Sequence, residues 1–253
     1  MVGAGFGGLG AARWLAQQPG LQVTLVDKRN HHLFQALLYQ VASAGLNPSE
    51  IASPVRGLFR KHRNVRVVMA ELTGLDSARK IAYLDGGGVE VAYDALVLSL
   101  GGETNYFGHP EWAQHAPGLK SIEQALWLRG HVLEAFERAE KSQDEGERRK
   151  LMTIVVIGGG PTGVELSGAF AELRRHVLRW DFRDIHPEQA RVVLLEGGPR
   201  VLAAFPPDLS EAARRDLEAL GVEVRVGERV QEIGPGYLVT HQGRIEAHTM
   251  VWA

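Results

Sequence analysis

Leu9, Ala12, Leu15 and Ala16 recur at helical spacing until Pro19-Gly20 stops them, and the β-rich run 21–26 that follows ends in Asp27. Between 65 and 100 the pattern shortens to strand-length runs split by Gly86-Gly87-Gly88, of which 95–100 is continuous enough for a buried strand. Ser121 with Gln124 resembles a capping box, and Ile122, Ala125, Leu126, Leu133 and Phe136 supply the apolar face of the helix it opens. The polar stretch 141–150 reads as a solvated helix end or linker. Residues 151–157 then form a continuous apolar strand, a second glycine cluster follows, and a helix runs through Phe170 and Leu173. The run 191–195 is the next strand and ends in Glu196, 208–220 is a helix, and 222–226, 230–233, 237–240 and 245–252 are strand candidates.

The second half therefore repeats the plan of the first: glycine turn, helix, strand, terminal acid. Strands alternating with helices predict an α/β fold with parallel sheets. Composition fits a globular chain of one to two domains, with 253 residues, 45% hydrophobic and 23% charged. The formal net charge of −2 leaves no electrostatic footprint for nucleic acid. The 30 glycines exceed the usual share of about 7%. Zero cysteines remove disulfides, cysteine-held metals and dithiol relays from these residues. No apolar run approaches the ~18 residues of a membrane span, so the chain reads as soluble and cytoplasmic.

The two glycine clusters carry the candidate chemistry. Gly3-Ala4-Gly5-Phe6-Gly7-Gly8 and Gly158-Gly159-Gly160-Pro161-Thr162-Gly163 each contain a GxGxxG pattern. In such a turn the first glycine bends the chain, the second lets backbone approach a pyrophosphate, and the third lets the helix pack closely. The helix N-terminus beyond it favours the negative charge. Asp27 and Glu196 stand where an acid would accept hydrogen bonds from a ribose, and Glu196 would repel a 2′-phosphate, so the second site is expected to prefer NADH to NADPH. The interval from Gly3 to Asp27 is near the usual ~20 residues, whereas Gly158 to Glu196 is longer, the excess falling in 174–190 as a longer helix plus loop. Two tight turns without a ligand are the competing structural reading. Two dinucleotide sites in one chain suggest a flavin and a nicotinamide, hence a flavoprotein oxidoreductase.

Further strings are Asn30-His31-His32-Leu33-Phe34-Gln35, Leu37-Leu38-Tyr39-Gln40-Val41-Ala42, Asn105-Tyr106-Phe107-Gly108, Ala116-Pro117-Gly118-Leu119-Lys120, Val164-Glu165-Leu166, Asp181-Phe182-Arg183 and Gly198-Pro199-Arg200. With the glycine turns, they resemble the type II NADH dehydrogenases, single-chain, non-proton-pumping NADH:quinone oxidoreductases, over almost the whole chain. The resemblance implies two Rossmann-like domains: an FAD domain, begun by 1–115, into which an NAD(H) domain, 116–253, is inserted. It places FAD at Gly3, Ala4, Gly5, Phe6, Gly7, Gly8, Asp27, Lys28 and Leu72, and NADH at Gly158, Gly160, Pro161, Thr162, Gly163 and Glu196. Glu165 matches a glutamate near the nicotinamide and flavin rings, where a carboxylate could orient the dihydronicotinamide or handle a proton. The alternative for Glu165 is an ordinary glutamate in a helix's first turn.

Ala36 departs from the family's proline, so the loop there is expected to be looser. His31-His32 gathers no further ligands in sequence, and no metal is expected. Arg56, Arg60, Lys61, Arg63 and Arg66 read as a solvated stripe, with contact to lipid headgroups or pyrophosphate as the alternative. Met1-Val2 leads straight into the first turn and the chain stops after Trp252-Ala253, so a piece lacking the FAD domain's first strand and its closing part is expected. In its full-length form the resemblance implies a membrane quinone as acceptor, peripheral contact with the inner face of the cell membrane, and a homodimer as candidate assembly. A dinucleotide-binding remnant without quinone reductase activity and a flavin reductase with a soluble acceptor are the competing functions.

Overall fold

The computed structural model describes all 253 residues, which form two compact units, Met1–Phe34 with Pro48–Glu103, and Gln35–Asn47 with Thr104–Ala253. In chain order the elements are α1 (Phe6–Leu15), β1 (Val23–Asp27), β2 (His31–Leu33), α2 (Leu38–Ala42), α3 (Pro48–Ile51), β3 (Ala52–Pro54), α4 (Val55–Leu58), β4 (Val65–Met69), β5 (Leu72–Asp76), β6 (Ile81–Leu84) and β7 (Val89–Ala92). There follow α5 (Ile122–Lys141), α6 (Glu145–Leu151), β8 (Thr153–Ile157), α7 (Pro161–Glu172), β9 (Arg191–Glu196), α8 (Pro207–Ala219), β10 (Val222–Val226), β11 (Val230–Gly234), β12 (Tyr237–Thr240), β13 (Gly243–Glu246) and β14 (Thr249–Trp252).

In the first unit β1 pairs in parallel with β4, Leu25 opposite Val67, and Val2 bridges both Val26 and Leu98. One face packs Leu9 and Ala12 of α1 with Leu25, Val55 and Phe59. The other sets Val2 and Val26 against Ala70 and Leu84, at the antiparallel sheet β5-β6-β7. The expected buried strand at 95–100 does not form. Only Val2 stands opposite it, so pairing reduces to Val2 N–H to Val97 O and Ser99 N–H to Val2 O, and Leu98 and Leu100 are exposed.

The second unit holds a parallel sheet in the order β10-β9-β8-β14. Every residue of β8 is buried, as expected of a parallel strand covered on both faces. Val155, Ile157, Val193 and Leu195 pack against Leu238 and Ile245 of the antiparallel sheet β11-β12-β13, while α7 lies against β8 and β9. The expected strand 245–252 is two strands in different sheets. Ala247 N–H turns to Gly236 O and His248 N–H to Lys150 O, which breaks the run before β14 joins β8.

Ser121 caps α5 by accepting from the Gln124 N–H at 3.2 Å, while Gln124 reaches back to the Lys120 N–H at 2.7 Å. The buried stripe is Ala125, Leu128, Val132, Ala135, Phe136 and Ala139, and the expected Leu126 is exposed. The polar stretch 141–150 is largely the helix α6, capped by Asp144 through the N–H groups of Gly146 and Glu147. Trp127, His131 and His248 stack in turn, with ring centroids 4.6 and 4.4 Å apart. The excess at 174–190 is the expected longer helix plus loop, but its extension beyond α7 is not α-helical. After α7 the chain makes a π-helical turn at Leu173–Val177, then short 3₁₀ turns. That turn buries Arg174, whose guanidinium donates to Ala190 O, to Leu220 O at 3.2 Å and to Gly221 O at 2.8 Å.

Candidate functional site

Each glycine turn leads into a helix in the same way, the first from the bridged residue Val2 and the second from β8. Gly3 and Gly158 have φ of +98° and +111°, the left-handed region that glycine tolerates. A Cβ on Gly8 would sit 1.8 Å from Gly3 O, and one on Gly163 would sit 1.9 Å from Gly158 O, so both helices press onto their own turns. By contrast, no atom lies within 4 Å of a Cβ built on Gly5 or Gly160. These are the N-cap residues of α1 and α7, with extended backbone and no side-chain cap. Space is thus open beside each N-cap, and no side chain caps the N–H groups of the first helical turn, as an anion cradle requires.

The acids at the strand ends grip these turns. Asp27 Oδ2 accepts from the Ala4 N–H at 2.6 Å and Oδ1 from the Arg29 N–H at 2.7 Å. Glu196 Oε2 accepts from the Gly159 N–H at 2.6 Å and Oε1 from the Gly198 N–H at 2.5 Å. Each carboxylate spends one lone pair per oxygen and keeps others free for a hydroxyl. The match extends to the neighbouring segment: a Cβ on Gly3 would meet Ser99 O, and one on Gly158 would meet Ala253 O. Sequence reading missed Ser99, Ala253 and Gly198 because they act through backbone atoms. Gly159 was legible only as part of a glycine run, yet a Cβ there would lie 2.9 Å from the Glu196 Cβ.

Around the first turn, Phe6 is exposed and meets His32 and Phe34 edge-on at 5.2 Å. His32 Nδ1 lies 2.8 Å from Ala4 O, and His31 Nδ1 lies 3.1 Å from Asn30 Oδ1. Gly7 faces the Ser99 hydroxyl. Lys28 Nζ is 3.8 Å from Glu71 in an exposed pair, and Leu72, heading β5, packs partly buried beside Val26. Arg56, Arg60, Lys61, Arg63 and Arg66 are all exposed.

Around the second turn, Pro161 occupies the first helical position, where it forfeits no hydrogen bond, and Thr162 and Gly163 complete the first turn of α7. Glu165 is exposed, yet the protein beside it desolvates its carboxyl and raises its pKa above the ordinary glutamate value.

The sequence profile of the pyridine nucleotide-disulphide oxidoreductases matches residues 1–253. The chain belongs to this family. Being free of cysteine, this pyridine nucleotide-disulphide oxidoreductase homologue holds no dithiol among these residues. It is 41% identical over 260 residues to the type II NADH:quinone oxidoreductase Ndh of Mycobacterium tuberculosis, an alignment covering 100% of this chain and 56% of that protein. NdhA of the same organism is also 41% identical over 260 residues, with 100% and 55% covered. Among solved structures, NDH2 from Plasmodium falciparum in complex with NADH has the same fold, with a TM-score of 0.90 at 23% identity, covering 100% of this chain and 54% of that one. The chain spans just over half the length of these relatives. No helix is long and apolar enough to cross a membrane.

Proposed function

We propose that the chain belongs to an FAD-dependent NADH:quinone oxidoreductase, with FAD on the first unit and NADH on the second. The observation that carries this reading is the duplicated turn: an open N-terminal helix cradle beside a strand-end carboxylate, once at Gly5 and Asp27 and again at Gly160 and Glu196. The likeness to relatives named type II NADH:quinone oxidoreductases supplies the substrates. The zero cysteine count favours them over disulfide-using members of the fold.

Bound on these residues, FAD would supply the redox chemistry, hydride acceptance from NADH and two-electron transfer to a quinone. The chain's own part is to bind, orient and manage a proton. Amides at the starts of α1 and α7 hold pyrophosphates, and Gly3, Ala4, Phe6, Gly7 and Gly8 line the first of these cradles. Asp27 and Glu196 use their remaining lone pairs on ribose hydroxyls, and Glu196 disfavours a 2′-phosphate. Lys28 and Leu72 flank the adenine end of the first site, and Pro161, Thr162 and Gly163 shape the second. Glu165, whose pKa desolvation raises above the ordinary glutamate value, is the candidate to orient the dihydronicotinamide or handle a proton. The same reading makes 1–115 part of the FAD domain and 116–253 the NAD(H) domain. It places the protein in the cytoplasm, peripheral on the inner face of the membrane in a form as long as its relatives, with a homodimer as candidate assembly.

The test is a visible spectrum of the chain loaded with FAD and desalted, before and after anaerobic NADH, followed by a short-chain quinone. A retained flavin band that bleaches with NADH and returns with quinone is the expected result. A colourless protein that binds NADH would leave only the dinucleotide-binding remnant.

A further inference from the structure

Phe107, in the Asn105-Tyr106-Phe107-Gly108 string, has two features the fold does not require. Its φ is +52°, where a bulky residue is an outlier, and its ring is 76% exposed. The turn is built to hold it there: Asn105 Oδ1 accepts from the Phe107 N–H at 2.8 Å, and Gly108 continues at φ +94°. A strained residue whose large apolar ring faces outward points to a use for the ring.

The ring ends an aromatic shelf within the second unit. Trp252 lies 6.4 Å from Phe107, 5.3 Å from Tyr106 and 5.6 Å from Trp112, centroid to centroid. The shelf is pinned by the Tyr106 hydroxyl, which donates to Ala116 O at 3.1 Å, and by His109 stacked on Trp112 at 4.1 Å.

Sheet order decides which half of a dinucleotide would meet this shelf. Across β10-β9-β8-β14, Glu196 ends β9, the glycine turn follows β8, and Trp252 ends β14 opposite Ile157. A dinucleotide with its pyrophosphate on the β8 turn and its adenosine ribose at Glu196 extends the other way, across the end of β14. Phe107 stands beside Trp252 at that strand end, on the side toward which the far half of such a ligand extends.

Resting on the reading of this unit as NADH-binding, we propose that Phe107 is the stacking platform for the nicotinamide half of the dinucleotide, its strained backbone presenting the ring before the ligand arrives. Phe107→Asn removes the ring while keeping a residue that tolerates the left-handed region, and Phe107→Tyr keeps the ring. Calorimetric titrations would compare NADH with ADP-ribose, which lacks the nicotinamide. Phe107→Asn is expected to weaken NADH binding roughly 3- to 10-fold and to leave ADP-ribose and the melting temperature unchanged, with Phe107→Tyr behaving as the parent. Equal losses for both ligands, or no loss for NADH, overturn the proposal. A parent chain that binds neither ligand overturns the NADH-site reading itself, and this inference with it.

Discussion

Glu196 accepts a 2.6 Å hydrogen bond from the Gly159 N–H, and Asp27 does the same for Ala4 in the other unit. The acid that would read a ribose is thus also a brace for the turn that would hold the phosphates, so binding and loop geometry are coupled through one side chain. Glu196→Gln removes the charge that strengthens these bonds. It is expected to weaken NADH binding about 10-fold and to narrow the preference for NADH over NADPH. Fluorescence titration with both nucleotides checks this, and an undiminished preference would refute it.

The four inner glycines separate folding from binding. Gly8→Ala and Gly163→Ala push a methyl group into the backbone carbonyls of Gly3 and Gly158, and each is expected to cost about 2–4 kcal/mol of stability. Gly5→Ala and Gly160→Ala add the same methyl to open space at compatible backbone angles. They should melt close to the parent and lose affinity for FAD and NADH respectively. Thermal melts with ligand titrations distinguish the two pairs.

Glu165→Gln removes the carboxyl proposed to handle a proton while keeping most of its hydrogen-bonding shape. Turnover with NADH and a short-chain quinone is expected to fall roughly 100-fold at an unchanged melting temperature. Unchanged kinetics would return Glu165 to the role of an ordinary first-turn glutamate.

Both glycine turns, their helices and the acids that follow were legible because each depends on residue type at fixed spacing. What was not legible depends on neighbours. The run 95–100 has strand composition, yet its pairing hangs on what stands beside it, and only Val2 does. The run 245–252 is continuously strand-like, and only the partners of Ala247 and His248 divide it. On α5 the stripe is turned from Leu126 toward Leu128 and Val132 by what packs against it. The strand-end carboxylates pointed to a ribose in the sequence, but their grip on Ala4 and Gly159 involves backbone amides, which no residue code displays.

Acid should loosen the second unit through His248. Burial, followed by the charges of His131, Arg138 and Lys150, lowers its pKa from 6.5 to about 4. The folded state therefore binds fewer protons than the unfolded state between these values. Stability present above pH 6.5 is lost as pH falls toward 4. Because the ring is only half-buried, the expected loss is about 1 kcal/mol rather than the full linkage value. Urea unfolding at pH 7.5, 6 and 5 measures it, and His248→Gln should flatten the dependence.

Arg174→Leu strips the donors from three buried or part-buried carbonyls and is expected to cost about 3 kcal/mol. Desolvation already lowers the Arg174 pKa, and its Nε lacks a partner, so the side chain is held at a cost that only its carbonyl contacts offset. Chemical denaturation should reveal the loss, and wild-type stability in this variant would contradict it.

Ala190 and Gly221 immediately precede β9 and β10, so Arg174 cinches the amino-terminal rim of the parallel sheet, while both glycine turns open at carboxyl-terminal rims. The second unit is thus asymmetric from top to bottom. At one rim a single guanidinium ties the entries of β9 and β10 together, and at the other the turn after β8 presents amides without a side-chain cap. Substitutions along the laced rim should change how long the protein lasts, and substitutions along the open rim should change what it holds.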